Sequence, residues 1–520
     1  MTIKRLMLTL LTAIAVGLVL LSLLASWNQP QIQSRLELYQ TNLLLHAAEF
    51  EADNPEDPTA AAASSFLGQA PFQTALKQYQ EAQESAEKTL EQTRAQLSAQ
   101  FSDSKLENIE SNPATIGQEQ LEQSIQELEQ LNEELRLRSG VLLQQQGETE
   151  KALEIWTLPE ELPSPNLKPT AKTARVLLGL WSEPPRILRD SEELIEKNLE
   201  GWFRYRALTQ LYQVQERQDK LLDLEQQEQQ LAEGALVKLV IISGIPGFGF
   251  VLGFAVLIFL LAQRLVKPEE SILALEKAGR EQSPSWETPW DWEMIWQVLV
   301  VGFFFVGQVL VPLVLSVLPL PVAEFGVRSR AFYILGSYLL LAFGGLLVLY
   351  LCLKPFFPLP DGWFRCQLKG SWFWWGLGGY FAAMPLVLIV STLNQQVWQG
   401  RGGSNPMLPI VLEGRDSIAI AVFFLTASVA APLFEEIIFR GFLLPSLTRY
   451  LSAWGAIAAS AFLFAIVHLQ LSELLPLATL GIVLGFVYAR SGNLLAPMLL
   501  HCLWNSGTLL SLFVLGSGAI

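Results

Sequence analysis

Charge is scarce in this chain. Asp, Glu, Lys and Arg make up 16% of its 520 residues, where a soluble protein carries about 25%. That deficit, with a mean hydropathy of +0.32, excludes an ordinary water-soluble globular protein. Basic charge is scarcer than acidic: 35 Lys and Arg against 50 Asp and Glu leave a net charge of −15, which argues against nucleic acid as a partner. Cysteine occurs three times, at Cys352, Cys366 and Cys502, too few and too scattered for a disulfide framework or a zinc ribbon. Histidine occurs three times, at His46, His468 and His501. There is no H-E-x-x-H, so the chain is not a zincin by motif, and no G-x-S-x-G.

What is present divides into two unlike parts. Residues 27–235 hold 36 acids and 18 bases, whereas residues 236–520 hold 14 acids and 15 bases. An acidic, water-compatible segment is therefore joined to a long, nearly neutral, apolar one. A membrane-crossing helix needs about 20 mostly apolar residues. Runs that meet or approach this length lie at 6–27, 239–263, 294–318, 331–353, 372–390, 417–434, 453–468, 474–488 and 494–515. The first follows Lys4 and Arg5 and reads as an uncleaved anchor. A cleaved signal peptide is the competing reading, but its apolar region spans only about 7–15 residues. The expected fold class is all-α: a polytopic helical membrane bundle of about nine spans with an N-terminal helical extracytoplasmic domain. Lys and Arg close to the spans number twelve on the side of Lys4 and five on the other, which puts the N-terminus inside. The expected divisions are an anchor (1–27), an outside helical domain (28–235), a second span with a cytoplasmic loop (236–293) and a membrane core (294–520).

The outside segment is rich in Gln, Glu, Leu and Ala, mostly good helix formers. Residues 72–100 and 118–138 read as long polar helices, and the Pro-bearing stretches 54–59 and 158–169 as loops. Residues 141–156 and 203–224 have a helix-turn-helix rhythm. The first resembles part of a tetratricopeptide-type repeat, with Gly147 at the turn and Ala152 in the second helix. No 34-residue period follows, so an irregular helical domain stands beside a peptide-binding repeat as the alternatives. His46, in this segment, reads as a surface residue.

Ionisable residues in membrane spans are costly, and are paired or functional. The last four runs hold Glu435, Glu436, Arg440, His468, His501 and Asn505. Glu436 and Arg440 are four apart and pair on one helical face. Glu435 is turned about 100° from Glu436 and faces another neighbour. His501 and Asn505 share a face, as do Phe464 and His468. A hairpin turning near 451–452 puts Glu435 level with His468. These sites share one depth with His501 if that hairpin projects ~10 Å further than the next one at the inner side. A carboxylate, two imidazoles and a carboxamide suit hydrolysis: a general base on water, or a ligand set for a metal, with donors for an oxyanion. The same groups suit a proton relay in a transporter, or hydrogen bonding between helices.

Three ordered motifs add a resemblance. Glu435-Glu436-Ile437-Ile438-Phe439-Arg440 reads E-E-x-x-x-R, Phe464-Ala465-Ile466-Val467-His468 reads F-x-x-x-H, and His501-Cys502-Leu503-Trp504-Asn505 reads H-x-x-x-N. Together they resemble the CPBP family of intramembrane proteases, which groups type II CAAX prenyl endopeptidases with bacteriocin-processing and "abortive infection" proteins. The resemblance covers roughly residues 417–515. It implies a membrane endopeptidase in which Glu435 activates water, His468 helps to position it, and His501 and Asn505 form the oxyanion hole, with Glu436 and Arg440 in support. Treatments of the family differ on a metal; Glu435, His468 and His501 are the candidate ligands for one divalent ion such as zinc. The implied partners are the lipid bilayer and a peptide or membrane-protein substrate, with a protein partner for the outside segment. A non-catalytic scaffold or sequestering protein is the alternative, and an ion-coupled transporter the third reading.

Overall fold

A computed structural model of the chain describes residues 2–27, 33–51, 67–68, 70–104, 113–157, 168–275, 286–318, 325–398, 401–404, 408, 410–411 and 416–517. The regular structure of the described residues is all helical, with no β-strand among them. Eight helices are long and apolar enough to cross a membrane, which makes the chain a polytopic helical membrane protein. The chain divides into two compact units, residues 33–242 and residues 1–32 with 243–516.

The first unit begins with α2 (Gln33–Ala48), after α1 (Ile3–Trp27) of the other unit. Its further helices are α3 (Pro71–Ser104), α4 (Pro113–Gln145), α5 (Thr149–Trp156), α6 (Lys168–Leu180), α7 (Ser191–Asn198), α8 (Gly201–Val214) and the first part of α9 (Gln218–Val266). The two long polar runs fall within α3 and α4. The expected loop at 54–59 lies outside the described residues. So does 158–167, and α6 begins at Lys168. Both helix-turn-helix rhythms form turns: Gly147 takes φ +81° between α4 and α5, and Glu216 takes φ +56° between α8 and α9. The core joins α2 to α8 through Leu45, Tyr79, Leu142, Trp156, Leu177, Ile195 and Trp202, each at most 2% exposed. Trp156 sits directly on Gly140, where a Cβ would come within 2.3 Å of the indole nitrogen. That nitrogen donates to the Leu137 carbonyl at 3.1 Å, so the buried N–H is satisfied.

His46 corrects an expectation. It is not a surface residue: it is 3% exposed, and its Nδ1 lies 2.6 Å from Glu228 Oε1 across the α2–α9 contact. Glu228 is equally buried, and each group supplies the hydrogen-bond partner that burial of the other demands.

Glu192 ties α7 to the α8–α9 turn. It accepts from Lys220, from Tyr212 Oη at 2.9 Å and from Arg217 at 3.0 Å. These bonds, Lys220's foremost, hold its carboxyl below the ordinary value. A carboxylate whose pKa falls on folding stabilises the fold above its unfolded pKa, and loses that contribution as pH drops through the folded value. Glu192→Gln is therefore expected to cost about 0.5–1 kcal/mol at neutral pH. The gap between parent and variant should close below the carboxylate range, as read by limited proteolysis across a pH series.

The second unit holds α1, the rest of α9, α10 (Trp292–Val317), α11 (Val327–Phe356), α12 (Trp372–Trp398), α13 (Ser417–Leu447), α15 (Leu474–Ser491) and α16 (Leu495–Gly516), with α14 (Ala453–Ile466) as a shorter apolar helix. At 1.5 Å per residue, α14 spans only about 21 Å, short of a hydrocarbon core of about 30 Å. Apolar side chains such as Leu10, Leu21, Phe248, Val251, Phe343 and Leu351 point outward, as lipid-facing helices require. Helices meet where side chains are smallest. A Cβ on Gly253 of α9 would lie 1.9 Å from the Phe381 carbonyl of α12, and one on Gly481 of α15 would lie 2.9 Å from Ala461 of α14.

Helix α1 is fastened to this unit at both ends. Lys4 and Arg5 pair with Glu293 at 3.1 and 2.8 Å, and Thr12 accepts from the Trp296 indole at 2.7 Å. At the far end Ser26 Oγ accepts from the Leu471 N–H at 3.3 Å, and Trp27 packs edge-on against Trp398. Asp416 caps α13, accepting from the N–H groups of Ile418 and Ala419 at 3.0 and 2.9 Å. Its other oxygen pairs with Arg328 at the start of α11 at 2.9 Å. These backbone bonds, then Arg328, hold the Asp416 carboxyl below its usual value.

Candidate active site

Helix α13 carries Glu435, Glu436 and Arg440, and it is not uniformly α-helical. Wider π-helical stretches at Thr426–Ala430 and Ile437–Leu443 flank the acidic pair. Such turns shift the register of the helix and recur at functional sites. Each stretch presents a carbonyl to a neighbouring side chain. Asn505 Nδ2 donates to Ala427 at 2.7 Å, and Ser460 Oγ donates to Phe439 at 3.0 Å.

Glu436 and Arg440 are fully buried and form an ion pair at 2.8 Å. The guanidinium also donates to the Gly481 carbonyl of α15 at 3.2 Å, and it lies over the Phe464 ring, 4.5 Å from its centroid. The glutamate oxygen that receives Arg440 also meets His501 Nδ1 at 2.8 Å, and His501 is 3% exposed. A carboxylate only accepts, so this Nδ1 carries a proton. Two charges removed from water need such added partners if their attraction is to offset desolvation.

Phe464 is the hub of the cluster. His468 lies edge-on to it at 4.9 Å and His501 at 5.6 Å, and Phe439 packs on it at 5.5 Å. His468 Nδ1 lies 2.8 Å from the Phe464 carbonyl. A carbonyl cannot donate, so His468 Nδ1 carries a proton and donates to it. Glu435 faces another way. It is half-buried, and its Oε1 accepts from Tyr338 Oη of α11 at 3.3 Å.

The structure thus joins members of all three motifs: Glu436 and Arg440 of the first, Phe464 and His468 of the second, His501 of the third. Asn505 bonds to α13 through Ala427, one turn along from His501. Among the described residues no hydrogen bond links Glu435 to either imidazole. Nor do Glu435, His468 and His501 form a ligand cluster: no three His, Cys, Asp or Glu side chains among the described residues come close enough to hold a metal ion. Sequence reasoning missed Tyr338, whose only signal was a hydroxyl inside an apolar run, and the Gly481 carbonyl, which had none.

Residues 417–507 match the family model described as Rce1-like, type II CAAX prenyl endopeptidase. The chain is 26% identical over 132 residues to the "Putative membrane peptidase YdiL" of Bacillus subtilis, covering 25% of this chain and 53% of that protein. It is 33% identical over 103 residues to an "Uncharacterized 24.3 kDa protein" of Escherichia coli, covering 19% and 48%. The chain therefore spans about half the length of the curated relatives it matches. No solved structure matches it. The matched segment is the one that carries the three motifs, so over residues 417–507 the chain is similar to the Rce1-like type II CAAX prenyl endopeptidases.

Proposed function

We propose that the chain is an intramembrane endopeptidase. The observation that carries this reading is the packing of both imidazoles and the Arg440 guanidinium around the single Phe464 ring, with the Glu436 carboxylate shared between Arg440 and His501. In the proposed reaction Glu435 takes a proton from water as its oxygen attacks the peptide carbonyl carbon. His468 Nε2 accepts the second water hydrogen and sets the line of attack. His501, carrying both ring protons against the Glu436 carboxylate, donates Nε2–H to the developing oxyanion. The second amide hydrogen of Asn505 donates beside it, in a medium where such bonds count for more than in water. Collapse of the tetrahedral intermediate breaks the C–N bond, and Glu435 returns its proton to the leaving amine.

The deciding experiment compares the membrane proteomes of cells carrying the parent and Glu435→Gln. A membrane protein whose cleaved form disappears in the variant supports the protease and names its substrate. A cellular phenotype that survives the change at equal protein abundance removes the protease in favour of a scaffold. Proton- or ion-coupled flux in liposomes without a cleaved product would instead identify a transporter.

The excess of Lys and Arg supports an inside N-terminus, with residues 28–235 outside and the protein partner, where there is one, engaged there. A reporter at Gly402 should then be reached from outside and one at Asp361 from inside. The reverse labelling overturns the orientation.

A further inference from the structure

We propose that Tyr338 is a positioning residue for the hydrolytic carboxylate: its hydroxyl holds Oε1 of Glu435, leaving Oε2 as the oxygen presented to water. The inference rests on the reading of Glu435 as the general base. It adds a residue from α11, outside the matched segment 417–507.

The Tyr338 hydroxyl lies 3.3 Å from Glu435 Oε1 and 3.4 Å from the Ala431 carbonyl, both on α13. A phenol has one proton, and an ionised carboxylate and a carbonyl both only accept. The hydroxyl therefore donates to one of them at a time, and the charged oxygen is the stronger acceptor. When Glu435 has taken its proton from water, that advantage is gone, and the same O–H reaches the Ala431 carbonyl by rotation about one bond. The hydroxyl thus has an acceptor in each protonation state of the base, without movement of the ring.

The ring itself is fixed. It stands edge-on to Phe434, with centroids 6.1 Å apart. Seven residues on, two helical turns along the same face, Gly345 lies so close to Phe434 that a Cβ would fall 2.9 Å from its ring. Arg328 pairs with Asp416 near the other end of α11. Helix α11 is therefore pinned to α13 at three levels, with Tyr338 in the middle. Phenylalanine would fill the same space, so packing does not account for the hydroxyl.

The test uses the full chain reconstituted in liposomes and a synthetic peptide spanning a bond that is cut in cells carrying the parent chain and left intact in cells lacking it. Tyr338→Phe should lower kcat about 10- to 100-fold, the rate equivalent of one hydrogen bond to a charged group, with KM unchanged. Fluorotyrosines of graded acidity placed at 338 should make kcat follow the strength of the phenol as a donor, which a filler of space would not do. If Glu435→Gln is inactive while Tyr338→Phe keeps its full kcat, or the fluorotyrosine series is flat, the role given to Tyr338 is wrong and the base stands. If Glu435→Gln cleaves like the parent, the base is misassigned and the Tyr338 proposal goes with it. Should Tyr338→Phe fail to fold, the fluorotyrosine series still decides.

Discussion

Glu435→Gln should lower the rate of peptide cleavage by about 10²- to 10⁴-fold, the usual contribution of a positioned general base, while leaving the protein folded and abundant. The reasoning is steric and electronic together. Glutamine keeps the volume and the carbonyl oxygen that can still accept from Tyr338, and Glu435 is half-buried and outside the ion pair beside it. Only the ability to take a proton is lost. The measurement is kcat on the reconstituted full chain, with unfolding temperature as the control. A variant that retains a tenth or more of the parent rate at equal stability would falsify the assignment.

Arg440→Met should have the largest effect on stability. The guanidinium neutralises a carboxylate with no exposed surface. Its removal leaves Glu436 with His501 alone, and breaking a buried pair from one side costs about 3–5 kcal/mol. Glu436→Gln strands Arg440 in the same way, with a carbonyl and an aromatic face as its remaining partners. The double variant removes both charges and should be less damaged than the two single losses added together, by about 0.5–3 kcal/mol of coupling. Unfolding in detergent of the parent, both single variants and the double one measures this. Strict additivity would mean that the two groups do not stabilise each other.

The contrast between these sites shows what sequence could and could not reveal. The Glu436–Arg440 pair was legible because it needs only the spacing of one helix. The spans were legible because lipid imposes apolar length, and the turn at Gly147 because glycine takes positive φ there. The His501–Glu436 contact was not legible. It depends on how two helices 65 residues apart in sequence are rotated against each other, and the π-helical stretches of α13 shift the register that a 3.6-residue count assumes. His46 was misread for a related reason. Its partner Glu228 is 182 residues away, and nothing local marks either as buried. The short α14 escaped because its apolar run continues to His468 while the helix itself stops at Ile466.

The fastening of α1 has a consequence in time. Ser26 and Leu471 are 445 residues apart in the chain, yet Leu471 belongs to the turn that leads away from His468. A ribosome adding about 5–20 residues per second needs about 20–90 s to make the intervening chain. For that interval the first helix waits in the bilayer with one of its contacts unmade. The turn after His468 is joined to α1 only once two segments 445 residues apart have both been made, so a nascent chain halted before Leu471 would lack that contact.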